Sequence, residues 1–263
     1  MTPFDAMKGH QPRRRFAQHF LADPHYVERI VAAIDPRPGE RIVEIGPGLA
    51  ALTERLIARA GHVAAVEIDR DLSARLRERF TADRLTLIEG DALAFDFATL
   101  GNDLRIVGNL PYNISSPLLF HLAAFAPSLR DLHVMLQKEV VDRMTADPDT
   151  PDYGRLTVML NVRFAVQRLF VIPPGAFRPP PKVNSAVARL RPLGERAPRI
   201  DDFALFTRLV AAAFSQRRKT LRNAVSSVCD VAAISGAGID PSVRGETLAV
   251  EDFVRLANRI TIA

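Results

Sequence analysis

The sequence predicts a doubly wound α/β fold, in which a mostly parallel sheet with an antiparallel hairpin precedes a small C-terminal all-α domain. Between residues 41 and 144, short apolar runs alternate with stretches whose apolar residues recur every three or four positions. Such alternation is typical of strand–helix–strand units, whose right-handed crossovers build a parallel sheet with helices on both faces. After residue 200 only the helical periodicity remains.

The individual elements follow from this pattern in order. A helix is predicted first, because Val27, Ile30, Val31 and Ile34 share one face and Pro36, Pro38 and Gly39 end it. Strands are predicted at 41–45, 63–68, 85–88, 104–107 and 132–136, with intervening helices at 49–57, 72–80, 117–125 and 140–144.

The last third of the chain has a different organisation. Residues 162–172 and 185–190 are predicted to be strands on either side of the proline-rich loop 173–181. Pro192, Gly194 and Pro198 indicate a linker at 191–200, and helices are predicted at 203–228 and 250–260. We therefore expect a larger domain at 1–190 and a helical domain at 201–263.

Charge and composition limit the class of protein. The chain has 263 residues, a formal net charge of +5 and a pI of about 9.9, so a polyanionic partner is one candidate. One cysteine, Cys229, excludes an intrachain disulfide, and the histidines lack metal-ligand spacing, so no metal site is expected. We expect a cytoplasmic protein, since neither a signal peptide nor a run of about 20 apolar residues is present.

Glycine or polar residues follow four successive predicted strands. Gly46 and Gly48 flank a proline after the first strand, and Glu67, Asp91 and Asn109 end or follow later strands. Because ligands of open parallel sheets bind at the carboxyl edge, we expect these residues to form one site. An acidic residue about 20 positions after the glycine loop is placed to reach the ribose hydroxyls of an adenosine cofactor.

Two cofactor classes compete for this site. Gly46-x-Gly48-x-x-Ala51 fits a dinucleotide fingerprint, but Glu44 beside the loop is unfavourable for a pyrophosphate. Glu44 suits the ammonium and sulfonium charges of S-adenosylmethionine, which we therefore favour. The structural alternatives are an ordinary glycine turn, a helix N-cap at Glu67 or Asp69, and a turn cap at Asp91.

The tetrapeptide Asn109–Tyr112 predicts the chemistry. An exocyclic adenine amine is a poor nucleophile, and the Asn109 side-chain oxygen and the Leu110 carbonyl can accept hydrogen bonds from it. Pro111 stiffens the turn, and Tyr112 offers a ring on which the base stacks. Phe177 is the candidate for a second stacking ring, with a core aromatic as the alternative; for Asn109 the alternative is a plain turn residue.

The chain also resembles a known family, the small-subunit ribosomal RNA adenine N6,N6-dimethyltransferases. The segments that carry the resemblance are 44–48, 108–115, 135–140, 179–187 and 214–223. It implies a Rossmann-like methyltransferase sheet and dimethylation of two adjacent adenines in a hairpin near the 3′ end of small-subunit RNA, late in subunit assembly. S-adenosylmethionine is the implied donor.

The resemblance also implies a set of cofactor contacts. The family's first motif, usually Gly-Gln-Asn-Phe-Leu, reads Ala-Gln-His-Phe-Leu at residues 17–21. The implied contacts are at His19, Leu21, Gly46, Glu67, Asp91 and Asn109.

Two basic clusters are candidates for RNA contact. They comprise Arg13, Arg14 and Arg15, and Arg217, Arg218, Lys219 and Arg222. The second is predicted on a helix whose apolar stripe contains Phe214, Leu221 and Val225, so that the cations share the other side. The alternative is a solvated charged face.

Three functions remain open on the sequence. The first is the small-subunit RNA dimethyltransferase, acting as a monomer on the immature subunit. The second is a large-subunit RNA adenine methyltransferase of the macrolide-resistance type, which the match through 214–223 disfavours. The third is a ribosome-assembly binding factor in which catalysis is secondary.

Overall fold

The computed structural model describes residues 19–262. Its strands are β1 (Phe20–Leu21), β2 (Ile42–Ile45), β3 (Val63–Glu67), β4 (Leu85–Glu89), β5 (Leu104–Asn109), β6 (Leu129–Gln137), β7 (Phe164–Ile172), β8 (Phe177–Arg178) and β9 (Ser185–Pro192). Its α-helices are α1 (Pro24–Ile34), α2 (Thr53–Ala60), α3 (Arg70–Arg79), α4 (Ser115–Ala124), α5 (Lys138–Met144), α6 (Arg155–Asn161), α7 (Phe203–Ser215), α8 (Leu221–Ala224), α9 (Val231–Gly236) and α10 (Val250–Ile262). None of the helices in this described part is long and apolar enough to cross a membrane.

The predicted mostly parallel sheet is confirmed. Seven strands lie in the order β4-β3-β2-β5-β6-β9-β7, and β4, β3, β2, β5 and β6 are parallel to one another. The antiparallel element is β9, which pairs with β6. All four residues of β2 are buried, because this central strand is covered on both faces.

The order of the strands creates a crevice beside β2. From β2 the chain proceeds through β3 to β4 on one side, and then crosses to β5 and β6 on the other. Where the order of strand addition reverses in this way, a ligand-binding crevice opens at the carboxyl ends of the two strands that flank the reversal. In this protein those strands are β2 and β5.

Helix α1 forms where the sequence predicts a helix, and its ends have clear causes. The Asp23 side chain accepts a hydrogen bond from the His25 amide at 2.9 Å, and Pro24 occupies the first turn. Four residues of one face, Val27, Ile30, Val31 and Ile34, are buried. Asp35 takes a left-handed conformation and ends the helix before Pro36.

The chain divides into two compact units. Among the described residues, the first contains 19–141 and 167–192, and the second contains 142–166 and 193–262. Residues 142–166 thus cluster with the C-terminal helices, whereas the sequence assigned them to the larger domain. The short helix α6, within this segment, was not predicted. The domain limits 1–190 and 201–263 remain a prediction.

The prediction of one helix over 203–228 is wrong. Helix α7 ends at Ser215, because Gln216 leaves the helical region with φ −141° and ψ 86°. The chain then turns, and the Leu221 and Arg222 amides donate to the carbonyls of Val243 and Pro241 at 2.6 and 3.2 Å. These tertiary hydrogen bonds replace the helical ones that a continuous helix would make.

Candidate active site

A cavity of about 320 Å³ lies at the carboxyl edge of the sheet, around the ends of β2, β3 and β5. It is large enough for a small-molecule ligand. The predicted residues that line it are His19, Leu21, Glu44, Gly46, Gly48, Glu67, Asp91, Asn109, Leu110, Pro111 and Tyr112. Residues separated by up to 93 positions thus meet at one edge, although their roles toward a ligand remain predictions.

The loop after β2 needs glycine for conformational reasons. Gly46 and Gly48 have φ values of +67° and +57°, which side-chain-bearing residues rarely adopt. A Cβ on Gly48 would also lie 3.0 Å from the Phe20 ring. Sequence reasoning missed Gly108, where a Cβ would lie 2.5 Å from the Ile45 carbonyl oxygen, so glycine allows β5 to approach β2 closely.

The Glu67 carboxylate organises the neighbouring backbone. Its Oε2 accepts a hydrogen bond from the Gly48 amide at 3.1 Å, and its Oε1 accepts one from the Asp69 amide at 2.9 Å. Burial raises the pKa of Glu67. A carboxylate has about four lone-pair sites, so Glu67 can still accept a hydrogen bond from a ligand. Asp69 itself is the N-cap of α3 and accepts from the Asp71 amide at 3.0 Å, as its structural alternative proposed.

The second carboxylate of the cavity, Glu44, is buried although one of its oxygens has no hydrogen-bond partner. It is 2% exposed, and its Oε2 has no hydrogen-bond partner among residues 19–262. Burial, together with the nearby Glu67 carboxylate, raises the pKa of Glu44 to about 7. A buried acid that lines a cavity and has one oxygen without a hydrogen-bond partner favours a cationic ligand group there.

Asn109 lies at the end of β5 with its amide orientation fixed. Its Nδ2 donates to the His19 carbonyl oxygen at 2.8 Å. Because a carbonyl oxygen only accepts, the nitrogen must face His19, and Oδ1 is the atom left to accept a hydrogen bond from a ligand. The following residue, Leu110, is anchored by its amide, which donates to the Met135 carbonyl at 3.0 Å.

Tyr112 is held at two points. Its hydroxyl is hydrogen-bonded to the Ser185 hydroxyl at 2.6 Å, and its ring stacks on the His19 imidazole with centroids 5.7 Å apart. The His19 Nδ1 in turn donates to the Pro179 carbonyl at 2.9 Å. Sequence reasoning did not identify Ser185 or the His19 ring, because a 73-residue separation leaves no local signal for the Tyr112–Ser185 contact.

The prediction that Phe177 stacks on a substrate base is corrected by the structure. Its side chain is fully buried in the hydrophobic core. Phe177 lies in β8, opposite Leu21 of β1, and the neighbouring Ala176 carbonyl accepts from the Ala22 amide at 2.8 Å. Phe177 therefore anchors the proline-rich loop, which was the alternative interpretation.

Asp91 combines a structural contact with a place in the cavity. Its Oδ1 accepts a hydrogen bond from the Leu93 amide at 2.9 Å and so caps the turn after β4. The residue also lines the cavity. One carboxylate oxygen of Asp91 therefore caps the turn, as the alternative interpretation proposed, and the other can still contact a ligand.

The basic clusters have different outcomes. Arg13, Arg14 and Arg15 lie outside the described residues. Arg217, Arg218 and Lys219 lie in the turn between α7 and α8, so the predicted helical face that presents them with Arg222 is wrong. Arg217 forms an ion pair with Glu246 at 3.0 Å. RNA contact by these cations remains a prediction.

Comparison with known proteins gives consistent matches. Residues 9–261 match the family described as ribosomal RNA adenine dimethylase. A ribosomal RNA small subunit methyltransferase A from Aromatoleum aromaticum is 59% identical over 254 residues, covering 97% of this chain and 96% of that protein.

Two solved structures are similar over most of the chain. The crystal structure of a dimethyladenosine transferase from Plasmodium falciparum has a TM-score of 0.78 and 26% identity, covering 90% of this chain and 96% of that one. The 23S rRNA methyltransferase ErmE has a TM-score of 0.67 and 27% identity, covering 92% and 99%.

Proposed function

Because this chain belongs to the ribosomal RNA adenine dimethylase family, we propose that it dimethylates the N6 amines of two adjacent adenines in a hairpin loop near the 3′ end of small-subunit ribosomal RNA. It is an S-adenosylmethionine-dependent ribosomal RNA adenine dimethyltransferase. The single observation that carries the proposed methyl-transfer chemistry is the juxtaposition of Asn109 Oδ1 with the buried acids Glu44 and Glu67 in one cavity.

The residues of the cavity fit S-adenosylmethionine. Its methionine ammonium group matches the buried, unpartnered Oε2 of Glu44. Glu67 has lone pairs for the ribose hydroxyls, and Asp91, which also lines the cavity, is the residue that we assign to the adenine amino group. When bound, the cofactor supplies an electrophilic methyl group on a positively charged sulfur.

Asn109 and Leu110 act on the attacking amine in this proposal. The Asn109 Oδ1 and the Leu110 carbonyl accept the two N6 hydrogens, which favours the tetrahedral nitrogen that develops as the methyl group arrives. Such hydrogen bonds strengthen in the transition state and therefore accelerate the reaction. The His19 carbonyl prepares this arrangement, because it fixes the Asn109 amide before substrate binds.

Tyr112 supports the same step by binding the target base. An adenine that has left its stack is held on the Tyr112 ring, which Ser185 anchors through the hydroxyl. Phe177 is buried in the core and does not line the cavity, so Tyr112 is the stacking ring of this proposal, and the His19 imidazole packs against Tyr112. The contacts of Tyr112 with the His19 ring and the Ser185 hydroxyl limit the motion of the Tyr112 side chain, which therefore aligns the base.

The proposal extends to the cellular substrate. We expect a monomer that acts late in assembly on the immature small subunit, with Arg13–Arg15, Arg217–Lys219 and Arg222 contacting RNA phosphates. The curated relatives' names support the small subunit, and the family resemblance supports the timing. Binding during assembly is compatible with this activity and remains an additional role.

Methyl transfer to isolated subunits tests the choice of substrate. The protein is incubated with radiolabelled S-adenosylmethionine and with undermethylated small or large subunits. We expect label on small-subunit RNA, with up to four methyl groups on two adjacent adenines. Label on the large subunit alone would support the second function and contradict this proposal.

Proton release on cofactor binding tests the role of Glu44. Because burial raises the pKa of Glu44 to about 7, the acid is partly protonated at neutral pH, and a bound cation favours its ionised form. We expect binding near pH 7 to release protons and the affinity to rise between about pH 6 and pH 8. Calorimetry in buffers of different ionisation enthalpy measures both effects.

Glu44→Gln is the matched control, since it keeps the size but does not titrate. The pH dependence of cofactor affinity that remains in Glu44→Gln comes from the cofactor's own amine. Its difference from the wild-type dependence therefore measures the titration of Glu44. In the free protein the raised pKa costs stability as pH rises from about 4.5 to 7, so Glu44→Gln is expected to stabilise the free protein at pH 8 by up to about 3 kcal/mol. Identical pH profiles for both proteins would contradict this role.

Glu67→Gln is expected to weaken S-adenosylmethionine binding. The substitution removes a charged acceptor that serves Gly48, Asp69 and, in our proposal, the ribose. Loss of a hydrogen bond to a charged group corresponds to roughly a 10- to 100-fold weaker affinity by calorimetry. Glu78→Gln, an exposed change on α3, serves as the control. An unchanged affinity in Glu67→Gln would refute the assigned contact.

A further inference from the structure

A second cavity, of about 310 Å³, lies at the opposite edge of the sheet from the cofactor cavity. Its lining includes Glu40, just before β2, and residues near the amino ends of β5 and β6. Arg189 and Arg191, near the carboxyl end of the antiparallel β9, complete it. The reaction proposed above uses none of these residues.

The floor of this cavity contains a buried imidazole that makes no direct hydrogen bond to the described residues. His133 of β6 is 3% exposed, and neither of its ring nitrogens has a hydrogen-bond partner in the described part of the chain. Its Nδ1 lies 3.6 Å from Asp131 Oδ1, beyond hydrogen-bond distance. At this distance Asp131 forms an ion pair with a protonated His133 but leaves the ring nitrogens without a hydrogen bond, which a ligand or water in the cavity would supply.

The carboxylates that line the cavity are already neutralised by arginines. Arg105 contacts Asp131 at 2.9 Å and Glu40 at 2.7 Å, and Arg37 contacts Asp35 at 2.7 Å. Arg105 also donates to the Ile34 carbonyl at 2.6 Å, at the end of α1. These acids are therefore not available to attract a cation.

Two further arginines bring positive charge without an acidic partner. Arg189 lies opposite His133 in the β6–β9 register, and its Nη2 donates to the neutral Gln167 side chain at 2.6 Å. Arg191 is exposed two residues further along the same face, and its side chain has no hydrogen bond or ion pair to a residue of 19–262. Their guanidinium groups have the fork geometry that matches phosphate oxygens.

We propose that this cavity binds a backbone phosphate of the ribosomal RNA substrate, with Arg189 and Arg191 as its charged ligands and His133 at its floor. The inference rests on the proposed function for the identity of the RNA. A phosphodiester carries one negative charge, which matches a site whose acids are paired and whose remaining arginines are not. The contact lies at the edge away from the reacting adenine, so it orients the RNA without reading its bases.

Salt dependence of RNA binding is the main test. The dissociation constant for undermethylated small subunits is measured over a range of salt concentrations for the wild type, Arg189→Gln and Arg191→Gln. Loss of one phosphate contact lowers the slope of log K against log salt by about 0.7 to 0.9, and we expect roughly tenfold weaker binding. Arg84→Gln is the control, because it removes the same charge from an exposed position that is not part of the cavity lining.

A direct probe separates RNA phosphate from a free anion. Inorganic phosphate is titrated into the cofactor-bound protein while the His133 imidazole is followed by NMR, with His133→Gln used to assign its signal. We expect a shift in the wild type that is lost in Arg191→Gln. A phosphate-dependent shift with unchanged RNA slopes would overturn the proposal in favour of a small-anion site.

The remaining outcomes are also decisive. If the salt-dependence slope of RNA binding falls equally in Arg191→Gln and Arg84→Gln, the change in net charge alone explains it, which would overturn the proposal. No shift and no change in slope would do the same. Failure here is distinguishable from failure of the proposed function, because the subunit labelled by the wild-type protein is read in a separate assay.

Discussion

Asn109→Ala is expected to lower kcat for methyl transfer by about 100- to 1000-fold, which is typical of losing a preorganised hydrogen-bond partner in a transition state. The affinity for S-adenosylmethionine is expected to change little, because Glu44, Glu67 and Asp91 still line the cavity. Single-turnover kinetics with small subunits measures the chemical step, and calorimetry measures cofactor binding.

Asn102→Ala is the matched control for this substitution. Asn102 is exposed in the turn before β5, so removal of its side-chain amide leaves the cavity unchanged. Asn109→Ala also frees the His19 carbonyl, and a thermal unfolding measurement accounts for any loss of stability. Full activity in Asn109→Ala would remove the proposed mechanism.

Tyr112→Ala is expected to reduce kcat/KM by roughly 10- to 100-fold, because stacking of a base on an aromatic ring contributes about 1–3 kcal/mol. Tyr112→Phe keeps the ring and loses only the hydrogen bond to Ser185, so a much smaller loss is expected. If Tyr112→Phe and Tyr112→Ala lose equal activity, stacking is not the role of this residue.

Ser185→Ala extends this test to the residue that holds the ring. Ser185 is fully buried and its hydroxyl contacts Tyr112 at 2.6 Å. We expect Ser185→Ala and Tyr112→Phe to cause similar small losses, and the double variant to lose no more than either single one. Additive losses would show that the two hydroxyls act separately.

The sheet and the residues at its carboxyl edge were predictable because they depend on sequence patterns within short segments. Predominantly apolar runs such as 42–45 and 104–107, each with a single charged residue, indicate buried parallel strands. The direction of such strands fixes where Gly46, Glu67 and Asn109 meet. The positive φ values of Gly46 and Gly48 follow from the same turn. Burial of Glu44 also follows, since it belongs to a central strand.

What the sequence did not predict depends on contacts between distant segments. The helix 203–228 fails at Gln216 because hydrogen bonds to Pro241 and Val243 override a helical periodicity. Phe177 lies in β8, which pairs with the short strand β1. The hydrophobic periodicity of the sequence does not indicate which segment pairs with β1. The contacts of His19 with Asn109 and Tyr112 likewise join residues about 90 positions apart.

The central claim is that the methyl donor and the target amine meet at one edge of the sheet, with Asn109 Oδ1 facing the amine. A crystal structure of the protein with S-adenosylhomocysteine and an RNA hairpin that contains the target adenines tests it most directly. We predict that the adenine N6 lies about 3 Å from both Asn109 Oδ1 and the Leu110 carbonyl oxygen. An adenine bound in the cavity with Asn109 turned away from its amine would contradict the account.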